Sequence, residues 1–447
     1  MSADVLLIMP KIDEGKDFHH FPFGCLALAA SLEKLGIEYD IFDERVDAAD
    51  LAIAKLPGYR VVGVSMFTGY QTTRGVHWLR TIRTLNPDAI TIVGGPHVTA
   101  LPQQTAQSDL VDYAIAGYGE NSFANLVSNI LQARDSDRAR LLNTPGVYAD
   151  RAGNAVGWPT PKKYNDIGWA PLPYHRIDVA SYLNPETRRV MYVSQYGCPA
   201  LCTFCATPET RKWTSKPLEL VYQDLELLDA LSTFRQLCFF DATLFTNRAR
   251  TMQLIQHLDD RFPGRQWLAD ARAAELIRYS DEDFQKIKRC RADLKMLVVG
   301  LESGSEYIAE KIVKKGKGHL KNFYEIAKRT HAAGIAMTSG VVFGFPGESA
   351  NDLKMTNDYI AEIRKIHPGF RISTTFFKPL PGTELYDQVT ANGYMRANSL
   401  EEWADFGGGN HYNYNEWNDV PWMSSAAQKE YLAEYRRFMD VHGEIVT

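Results

Sequence analysis

The chain has 447 residues, of which 45% are hydrophobic and 23% charged, and its formal net charge is −5. This is the composition of a globular protein, and the length predicts about two or three domains. The small negative charge gives no electrostatic case for nucleic acid or an anionic membrane as the main partner. No apolar run approaches the roughly 20 residues that span a bilayer, and the first residues lack the basic start of a signal peptide. We therefore expect a cytoplasmic protein.

Short apolar runs alternate with amphipathic stretches in the first part of the chain. The runs DVLLIMP, IEYDIFD, VVGVSMF, AITIVGG and VDYAIAG predict strands, and the stretches between them have helical spacing. This alternation is typical of an α/β fold with a doubly wound parallel sheet. Residues 1–135 are predicted to form a Rossmann-like domain. Residues 136–189, rich in charge, proline and turn residues, are predicted to be a linker.

The alternation returns in residues 190–390. The strand-like runs there are RVMYVSQY, QLCFFDATLF, QWLADAR, LKMLVVGLE, AMTSGVVFGFPG and FRISTTFFKPLPG. Six strand-plus-helix units predict a partial parallel barrel, in which chemistry gathers at the C-terminal ends of the strands. Residues 391–447 are predicted to be a short C-terminal segment that closes the open end of the barrel.

Three of the six cysteines stand within GCPALCTFC, directly after the first strand of this second region. Cys198, Cys202 and Cys205 could converge on a metal in a reducing compartment. A closed zinc site wants four ligands, whereas a [4Fe–4S] cluster held by three cysteines leaves one iron open for a substrate or cofactor. The spacing favours iron–sulfur and leaves zinc as the alternative. The single cysteines (Cys25, Cys238 and Cys290) are expected to be small buried side chains.

The C-x-x-x-C-x-x-C spacing, with Phe204 before the last cysteine, resembles the signature of radical S-adenosylmethionine enzymes. In that family three cysteines hold a [4Fe–4S] cluster, whose open iron binds S-adenosylmethionine and whose electron cleaves it to a 5′-deoxyadenosyl radical. Later segments resemble the family's strands in the expected order: LCFFDATLF, WLADARAAE, VVGLESGSE, GVVFGFPGES and FFKPLPGTELY. The resemblance implies that four further residues of the barrel contact S-adenosylmethionine: Asp241, Arg272, Glu302 and Gly344.

The first domain resembles the cobalamin-binding domain of one branch of this superfamily. The matching pieces, PFGCLALAASLEKLGIEYDIFD, VSMFTGYQT, VGGPHVTALPQ and AGYGENSFANL, include predicted strand exits, where open parallel sheets bind ligands. The residues implied to contact cobalamin are Ser65, Gly94, Gly95, Pro96, His97, Gly117, Gly119 and Glu120. The glycines would let backbone approach the corrin, and His97 is expected to make a polar contact rather than to ligate metal. The alternative is a Rossmann-like or receiver-like domain without its ligand, although no GxGxxG fingerprint is present.

One motif departs from many cobalamin proteins, in which the histidine of D-x-H-x-x-G ligates cobalt. Asp17 and His19 fit that pattern, but Pro22 stands in place of its glycine. Members of the radical branch commonly lack the motif. We therefore expect cobalamin without a histidine ligand from the protein.

The resemblance implies a cobalamin-dependent methyltransferase. One S-adenosylmethionine methylates cob(I)alamin, a second gives the radical that activates an unactivated substrate carbon, and methylcobalamin supplies the methyl group. Two alternatives stay open: cyclisation, rearrangement or oxidation with the same cofactors, and a non-catalytic carrier of metal and corrinoid. The nucleoside-facing segments argue against a carrier.

The expected partners are a small-molecule substrate and an electron donor of flavodoxin or ferredoxin type, with no nucleic acid or membrane. The C-terminal stretch GGGNHYNYNEWNDVPWMSS carries aromatic side chains that either pack against the open end of the barrel or line the substrate. The substrate interpretation applies to Tyr412, Tyr414 and Trp417.

Overall fold

The computed structural model describes residues 3–12, 20–132, 144–151, 154–157, 167–206, 213–393, 397–408 and 422–442. The chain forms two compact units, each built from three segments. The first unit contains Met1–Glu186, Glu219–Phe234 and Arg396–Asn413, and the second contains Thr187–Leu218, Arg235–Met395 and Tyr414–Thr447.

The described strands belong to a sheet in each unit and to one short hairpin. They are β1 (Val5–Met9), β2 (Tyr39–Asp43), β3 (Val61–Ser65), β4 (Ile90–Gly94), β5 (Tyr113–Ile115), β6 (Val147–Arg151), β7 (Asn154–Gly157), β8 (Arg189–Tyr192), β9 (Gln195–Tyr196), β10 (Thr214–Ser215), β11 (Gln236–Phe239), β12 (Gln266–Ala271), β13 (Asp293–Val299), β14 (Met337–Phe343) and β15 (Arg371–Phe376).

The described α-helices fill most of the connections between these strands. They are α1 (Phe23–Glu33), α2 (Ala49–Lys55), α3 (Tyr70–Leu85), α4 (Pro96–Ala100), α5 (Pro102–Ala106), α6 (Glu120–Gln132), α7 (Leu218–Leu231), α8 (Arg248–Arg261), α9 (Ala273–Leu276), α10 (Asp281–Arg289), α11 (His319–Ala332), α12 (Ala350–Ile366), α13 (Glu384–Ala391), α14 (Leu400–Gly408) and α15 (Ser425–His442).

The first unit is built on a sheet in the order β2-β1-β3-β4-β5-β6-β7. Strands β1 to β5 are parallel, and the edge strands β6 and β7 are antiparallel. Alternate side chains of β1 enter opposite core clusters, with Leu6 and Ile8 on one face and Val5 and Leu7 on the other. Burial on both faces explains why these strands read as continuous apolar runs. The predicted doubly wound sheet is confirmed.

The second unit is built on a parallel sheet in the order β15-β14-β13-β12-β11-β8. Each strand pairs with the next barrel strand along the chain, as a partial barrel of strand-plus-helix units requires. Side-chain oxygens cap the helices that follow the strands: Asn247 caps α8, Ser280 caps α10 and Ser349 caps α12. The prediction of a partial barrel is confirmed.

The segment 136–189, predicted as a linker, contributes structure to the first unit. Strands β6 and β7 extend the sheet beyond β5. Further along the segment, Tyr182 is buried and its hydroxyl donates to Asp43 Oδ2 at 2.9 Å. These edge strands are short and half polar, so neither a strand nor a helix period is visible in their sequence.

The C-terminal segment 391–447, predicted to close the barrel, divides between the units. Helix α14 places Leu400 and Ala404 in a core cluster of the first unit. Helix α15 packs on α12 in the second unit. A stretch this short can bury apolar side chains against either core, and its sequence does not say which. Within the described residues, no helix is long and apolar enough to cross a membrane.

Trp403 on α14 tests whether this helix is part of the first unit. Its side chain is 2% exposed, packs against His97, and donates from Nε1 to Gln104 Oε1 at 2.8 Å. We expect Trp403→Ala to lower the free energy of unfolding by about 3–5 kcal/mol, because it leaves a cavity. Leu51→Ala is the control, since Leu51 is 68% exposed. Equal urea midpoints for the two variants would contradict this role of α14.

Candidate active site

The second unit contains an open cavity of about 360 Å³ at the C-terminal ends of the barrel strands. All three clustered cysteines line it, together with residues from four strands and their exits. The lining residues are Cys198, Ala200, Cys202, Phe204, Cys205, Ala242, Asp270, Ala271, Arg272, Val298, Gly300, Glu302, Lys315, Gly340 and Ser373.

The cysteine loop is the stretch 197–205, which begins directly after β9. None of its three cysteines is joined in a disulfide among the described residues. The hydrogen bond from Cys205 N to Cys202 O, at 3.3 Å, makes a turn that brings the second and third cysteines to the same side. Thr203, between them, donates from N to Val313 O at 3.1 Å and from Oγ1 to Ile312 O at 2.6 Å. The loop is therefore fixed to another part of the barrel.

Burial raises the pKa of Cys198 and of Cys202, which favours the protonated form of these two thiols. Lys315 and then Arg272 act in the opposite direction on the pKa of Cys202. Metal ligation requires thiolates, which nearby cations favour. Among the described side chains, no group of three or more ligands stands close enough to hold a single metal ion. A closed zinc site needs four ligands around one ion, and the described side chains do not provide such a group. A four-iron cluster instead binds each thiolate to a separate iron.

Asp241 supports the start of the cysteine loop and does not line the cavity. Its carboxylate accepts hydrogen bonds from Ser194 N at 2.7 Å, Ser194 Oγ at 2.9 Å and Gln195 N at 2.8 Å. Burial raises the pKa of Asp241 to about 6, although these hydrogen bonds lower it. Asp241 thus supports the backbone that leads into the cysteine loop, and its contact with the cofactor stays a prediction.

Arg272 lines the cavity, as the sequence predicted. Its Nη1 donates to Glu275 Oε1 at 2.8 Å, and its Nη2 donates to Lys315 O at 3.3 Å. Arg272 Nε and Glu275 Oε2 are buried without a hydrogen-bond partner among the described residues. Because unpaired buried polar atoms are costly, Arg272 Nε at the cavity is a donor that a bound ligand would satisfy.

Glu302 also lines the cavity, and its backbone is held in the left-handed region at φ 64°. Its N donates to Gly340 O at 3.1 Å, and its O accepts from Val342 N at 2.9 Å. Its Oε1 forms an ion pair with Lys315 Nζ at 2.6 Å. A Cβ at Gly300 would lie 2.7 Å from both of these atoms, so a side chain there would displace the ion pair. Strained backbone that its neighbours fix in this way is typical of functional sites.

Gly344 is enclosed by protein groups and does not line the cavity. Its N donates to Glu348 Oε2 at 2.6 Å and to Tyr431 Oη at 2.7 Å, while its O accepts from Trp422 Nε1 at 2.9 Å. Tyr431 donates in turn to Glu348 Oε2 at 2.7 Å. Burial raises the pKa of Glu348 to about 7. Glu348 and the C-terminal residues Trp422 and Tyr431 thus bind the backbone polar groups of Gly344, whose contact with the nucleoside stays a prediction.

Sequence reasoning missed three charged residues of this site: Asp270, Glu275 and Lys315. Burial, and then the nearby Asp241, raise the pKa of Asp270 to about 7. A signal for Asp270 existed, since it is a carboxylate within the apolar strand QWLADA. Lys315 lies in KKGKG, and the sequence gives no sign that distinguishes it from the other lysines of this stretch.

The first unit brings its predicted residues together at the ends of three adjacent parallel strands, β3, β4 and β5. These residues are Ser65, Gly94, Gly95, Pro96, His97, Gly117, Gly119 and Glu120. The exits are bonded to one another, from Met66 N to Gly94 O at 2.8 Å and from His97 N to Met66 O at 3.1 Å. Gly95 has φ 102°, and a Cβ there would lie 2.6 Å from Met66 O. The close approach of two exit loops therefore requires this glycine, whether or not a corrin lies nearby.

His97 is a buried histidine that joins two exit loops. It is 1% exposed, and its Nδ1 lies 2.9 Å from Thr68 Oγ1. Its Nε2 and Glu120 Oε2 are buried without a hydrogen-bond partner among the described residues. Burial raises the pKa of Glu120 to about 7. Polar atoms of this kind at the strand exits fit a polar ligand such as cobalamin.

Five residues that the sequence analysis named lie outside the described residues: Asp17, His19, Tyr412, Tyr414 and Trp417.

Two family models match this chain, and they match its two sheets separately. The B12 binding domain matches residues 17–127, and the radical SAM superfamily matches residues 192–360. The chain thus combines a B12 binding domain with a radical SAM domain. The predicted cofactors (cobalamin, a [4Fe–4S] cluster and S-adenosylmethionine) and the prediction of a radical SAM enzyme are confirmed. The carrier interpretation is not supported.

Relatives of this radical SAM enzyme include named methyltransferases. An uncharacterised methyltransferase of Pyrococcus horikoshii, PH0819, is 24% identical over 70% of this chain and 66% of its own length. Cytidylyl-2-hydroxyethylphosphonate methyltransferase of Streptomyces wedmorensis is 25% identical over 84% of this chain and 79% of its own. The aligned region thus spans just under two thirds of the Pyrococcus relative.

The fold is similar to that of the radical S-adenosylmethionine methyltransferase TsrM from Kitasatospora setae. The TsrM structure with cobalamin and a [4Fe–4S] cluster has a TM-score of 0.71 at 15% identity, covering 99% of this chain and 89% of that one. A second TsrM structure, with tryptophan and a S-adenosylmethionine analogue, has a TM-score of 0.70 at 16% identity, covering 96% and 88%.

His97 predicts a pH dependence of stability. Burial lowers the pKa of His97 to about 4, whereas an unfolded histidine titrates near 6.5. The unfolded state therefore binds the proton more readily, and stability falls as the pH falls from about 6.5 towards 4, by up to about 1.4 kcal/mol per pH unit. We expect the stability advantage of wild type over His97→Gln to shrink between pH 7 and pH 5 in urea denaturation. His175→Gln, at an exposed histidine, is the control. An advantage that is constant with pH would contradict the assignment.

Proposed function

We propose that this enzyme is a cobalamin-dependent radical SAM methyltransferase that moves a methyl group from S-adenosylmethionine, by way of cobalamin, to an unactivated carbon of a small molecule. The observation that carries the proposal is a cavity that is lined by the three clustered cysteines together with Arg272 and Glu302. The methyltransferase names of the relatives support methyl transfer over cyclisation, rearrangement or oxidation.

The bound groups would supply the chemistry: the cluster an electron, S-adenosylmethionine a radical and a methyl group, and cobalamin the carrier of that methyl. The chain's own residues bind and orient these groups. Cys198, Cys202 and Cys205 hold the cluster and leave one iron open. Arg272 lines the cavity, and its Nε, which has no hydrogen-bond partner among the described residues, would offer a donor to S-adenosylmethionine. Apolar lining such as Phe204 and Val298 limits the access of water.

In the first unit, the strand exits hold cobalamin. His97 stays neutral because burial lowers its pKa to about 4, and its Nδ1 contact with Thr68 fixes the ring. The electron would come from a flavodoxin or ferredoxin type of donor. A small-molecule substrate is supported by the tryptophan in a TsrM structure and by the phosphonate in the name of the Streptomyces relative.

Replacement of all three clustered cysteines tests the cluster assignment. We expect Cys198→Ala/Cys202→Ala/Cys205→Ala to lose iron, sulfide and the visible iron–sulfur absorption, while cobalamin binding in the first unit persists. Cys290→Ala is the matched control, since Cys290 is a buried thiol elsewhere in the second unit. A triple variant with a full complement of iron and sulfide would refute the assignment.

The fate of a methyl-labelled S-adenosylmethionine tests the reaction without knowledge of the substrate. With a reductant, we expect the loaded enzyme to place label on its bound cobalamin, to release S-adenosylhomocysteine, and to form 5′-deoxyadenosine. Formation of 5′-deoxyadenosine without any S-adenosylhomocysteine would instead favour a cyclisation, rearrangement or oxidation.

Arg272 and Glu302 are tested by the binding of S-adenosylmethionine. We expect Arg272→Ala and Glu302→Gln each to weaken binding roughly ten- to a hundred-fold with the cluster intact, because losing one charged hydrogen-bond partner costs about 1.5–3 kcal/mol. Equilibrium dialysis measures the affinity. Arg278→Ala, an exposed arginine close in sequence, is the control. Wild-type affinity in both test variants would show that these residues do not contact the nucleoside.

A further inference from the structure

Lys315 brings a buried ammonium group to the cavity that the cysteines line. The residue is 7% exposed although it lies in the lysine-rich stretch KKGKG. Its neighbour Lys314 instead pairs with Glu384 at the surface, with the two side chains 48% and 53% exposed. Burial of a lysine is costly unless its charge is compensated. The burial of Lys315 therefore needs a structural or functional explanation.

The backbone around Lys315 is fixed in three ways. It follows a π-helical segment, Tyr307–Ile312, and its N donates to Ala309 O at 2.8 Å. Its O accepts from Arg272 Nη2 at 3.3 Å. Glu310 Oε1 accepts hydrogen bonds from the backbone N of Gly318 and His319, which closes the stretch that follows.

The same segment is bonded directly to the cysteine loop. Thr203 donates to the carbonyl oxygens of Ile312 and Val313, which stand three and two residues before Lys315. The loop and the lysine therefore keep a fixed relation to each other, and the backbone helps to hold the ammonium group in the cavity that the cysteines line.

Lys315 is charged at neutral pH. The Glu302 carboxylate compensates its charge, since Glu302 Oε1 lies 2.6 Å from Lys315 Nζ and both side chains are largely buried. Arg272, the other cation of the cavity, is neutralised by Glu275 at 2.8 Å. Lys315 and Glu302 are thus a second pair of opposite charges beside the same thiols.

We propose that Lys315 sets the reduction potential of the cluster, with Glu302 as its counterweight. The inference rests on the proposed function, in which the three cysteines hold the cluster. Reduction adds one electron from the external donor to the cluster, and no bond is made or broken. A fixed positive charge in a low-dielectric cavity stabilises the more negative, reduced cluster, and a fixed negative charge opposes reduction.

The test is a redox titration of the reconstituted full-length enzyme, followed by electron paramagnetic resonance and without S-adenosylmethionine. We expect Lys315→Met to shift the cluster midpoint potential to more negative values and Glu302→Gln to shift it to more positive values. A tenfold change in the equilibrium constant for reduction corresponds to about 59 mV for one electron, and we expect shifts on that order. The double variant should lie between the two single variants.

Lys314→Met is the matched control, because it removes the same charge one residue away in a surface ion pair. Its potential should equal that of wild type. A residue that merely stabilised the fold would not give shifts of opposite sign for Lys315→Met and Glu302→Gln.

Iron and sulfide contents separate the possible failures. A wild-type chain that holds no cluster would overturn the proposed function. A wild-type chain with a cluster, and an unchanged potential in Lys315→Met, would overturn this inference alone. If Lys315→Met does not hold a cluster, the Glu302→Gln variant provides the test. A midpoint potential in Glu302→Gln that is unchanged or more negative than that of wild type would refute the proposed effect of this charge pair.

Discussion

Compensation of buried charge is the constraint on which the active site of this enzyme depends. Thiolates that hold iron need cations nearby, yet a buried cation without a partner costs several kcal/mol. The second unit meets both requirements with two ion pairs, Arg272–Glu275 and Lys315–Glu302. Because Gly300 has no side chain, the Lys315–Glu302 pair fits beside the thiols. The composition of the cavity follows from this balance.

The cysteine loop is positioned by contacts on both sides of it. Asp241 accepts three hydrogen bonds from the residues that precede the loop, and Thr203 ties its middle to Ile312 and Val313. Ligands that are fixed in this way need little reorganisation when a cluster binds. The C-terminal residues Trp422 and Tyr431 act similarly on the turn at Gly344, where they occupy the backbone polar groups.

The first unit is organised by contacts between its strand exits. Met66 bonds to the backbone of both Gly94 and His97, and His97 reaches Thr68 through its ring. Trp403, on a helix that enters the unit from far along the chain, covers His97. Strands β3, β4 and β5 are neighbours in the sheet, so their exit loops lie side by side. The hydrogen bonds between these loops fix them as one continuous binding edge.

The sequence by itself determined the features that local spacing encodes. Cys198, Cys202 and Cys205 stand within one short loop, and the alternation of apolar runs with helical stretches revealed both parallel sheets. Arg272 and Glu302 were located through the order of their motifs, and both line the cavity. These signals are visible because the residues that form each of them are close together in the chain.

Tertiary structure alone decided which charges are buried and what they contact. Lys315 cannot be told from Lys314 in sequence, and only the fold buries the former beside a glutamate 13 residues away. Asp241 and Gly344 carry the expected motifs, but their hydrogen bonds go to Ser194 and Tyr431 rather than to the cavity. Helix α14 belongs to the first unit because Leu400 packs in a hydrophobic core cluster of that unit. Each outcome depends on partners distant in sequence, whose pairing no local pattern specifies.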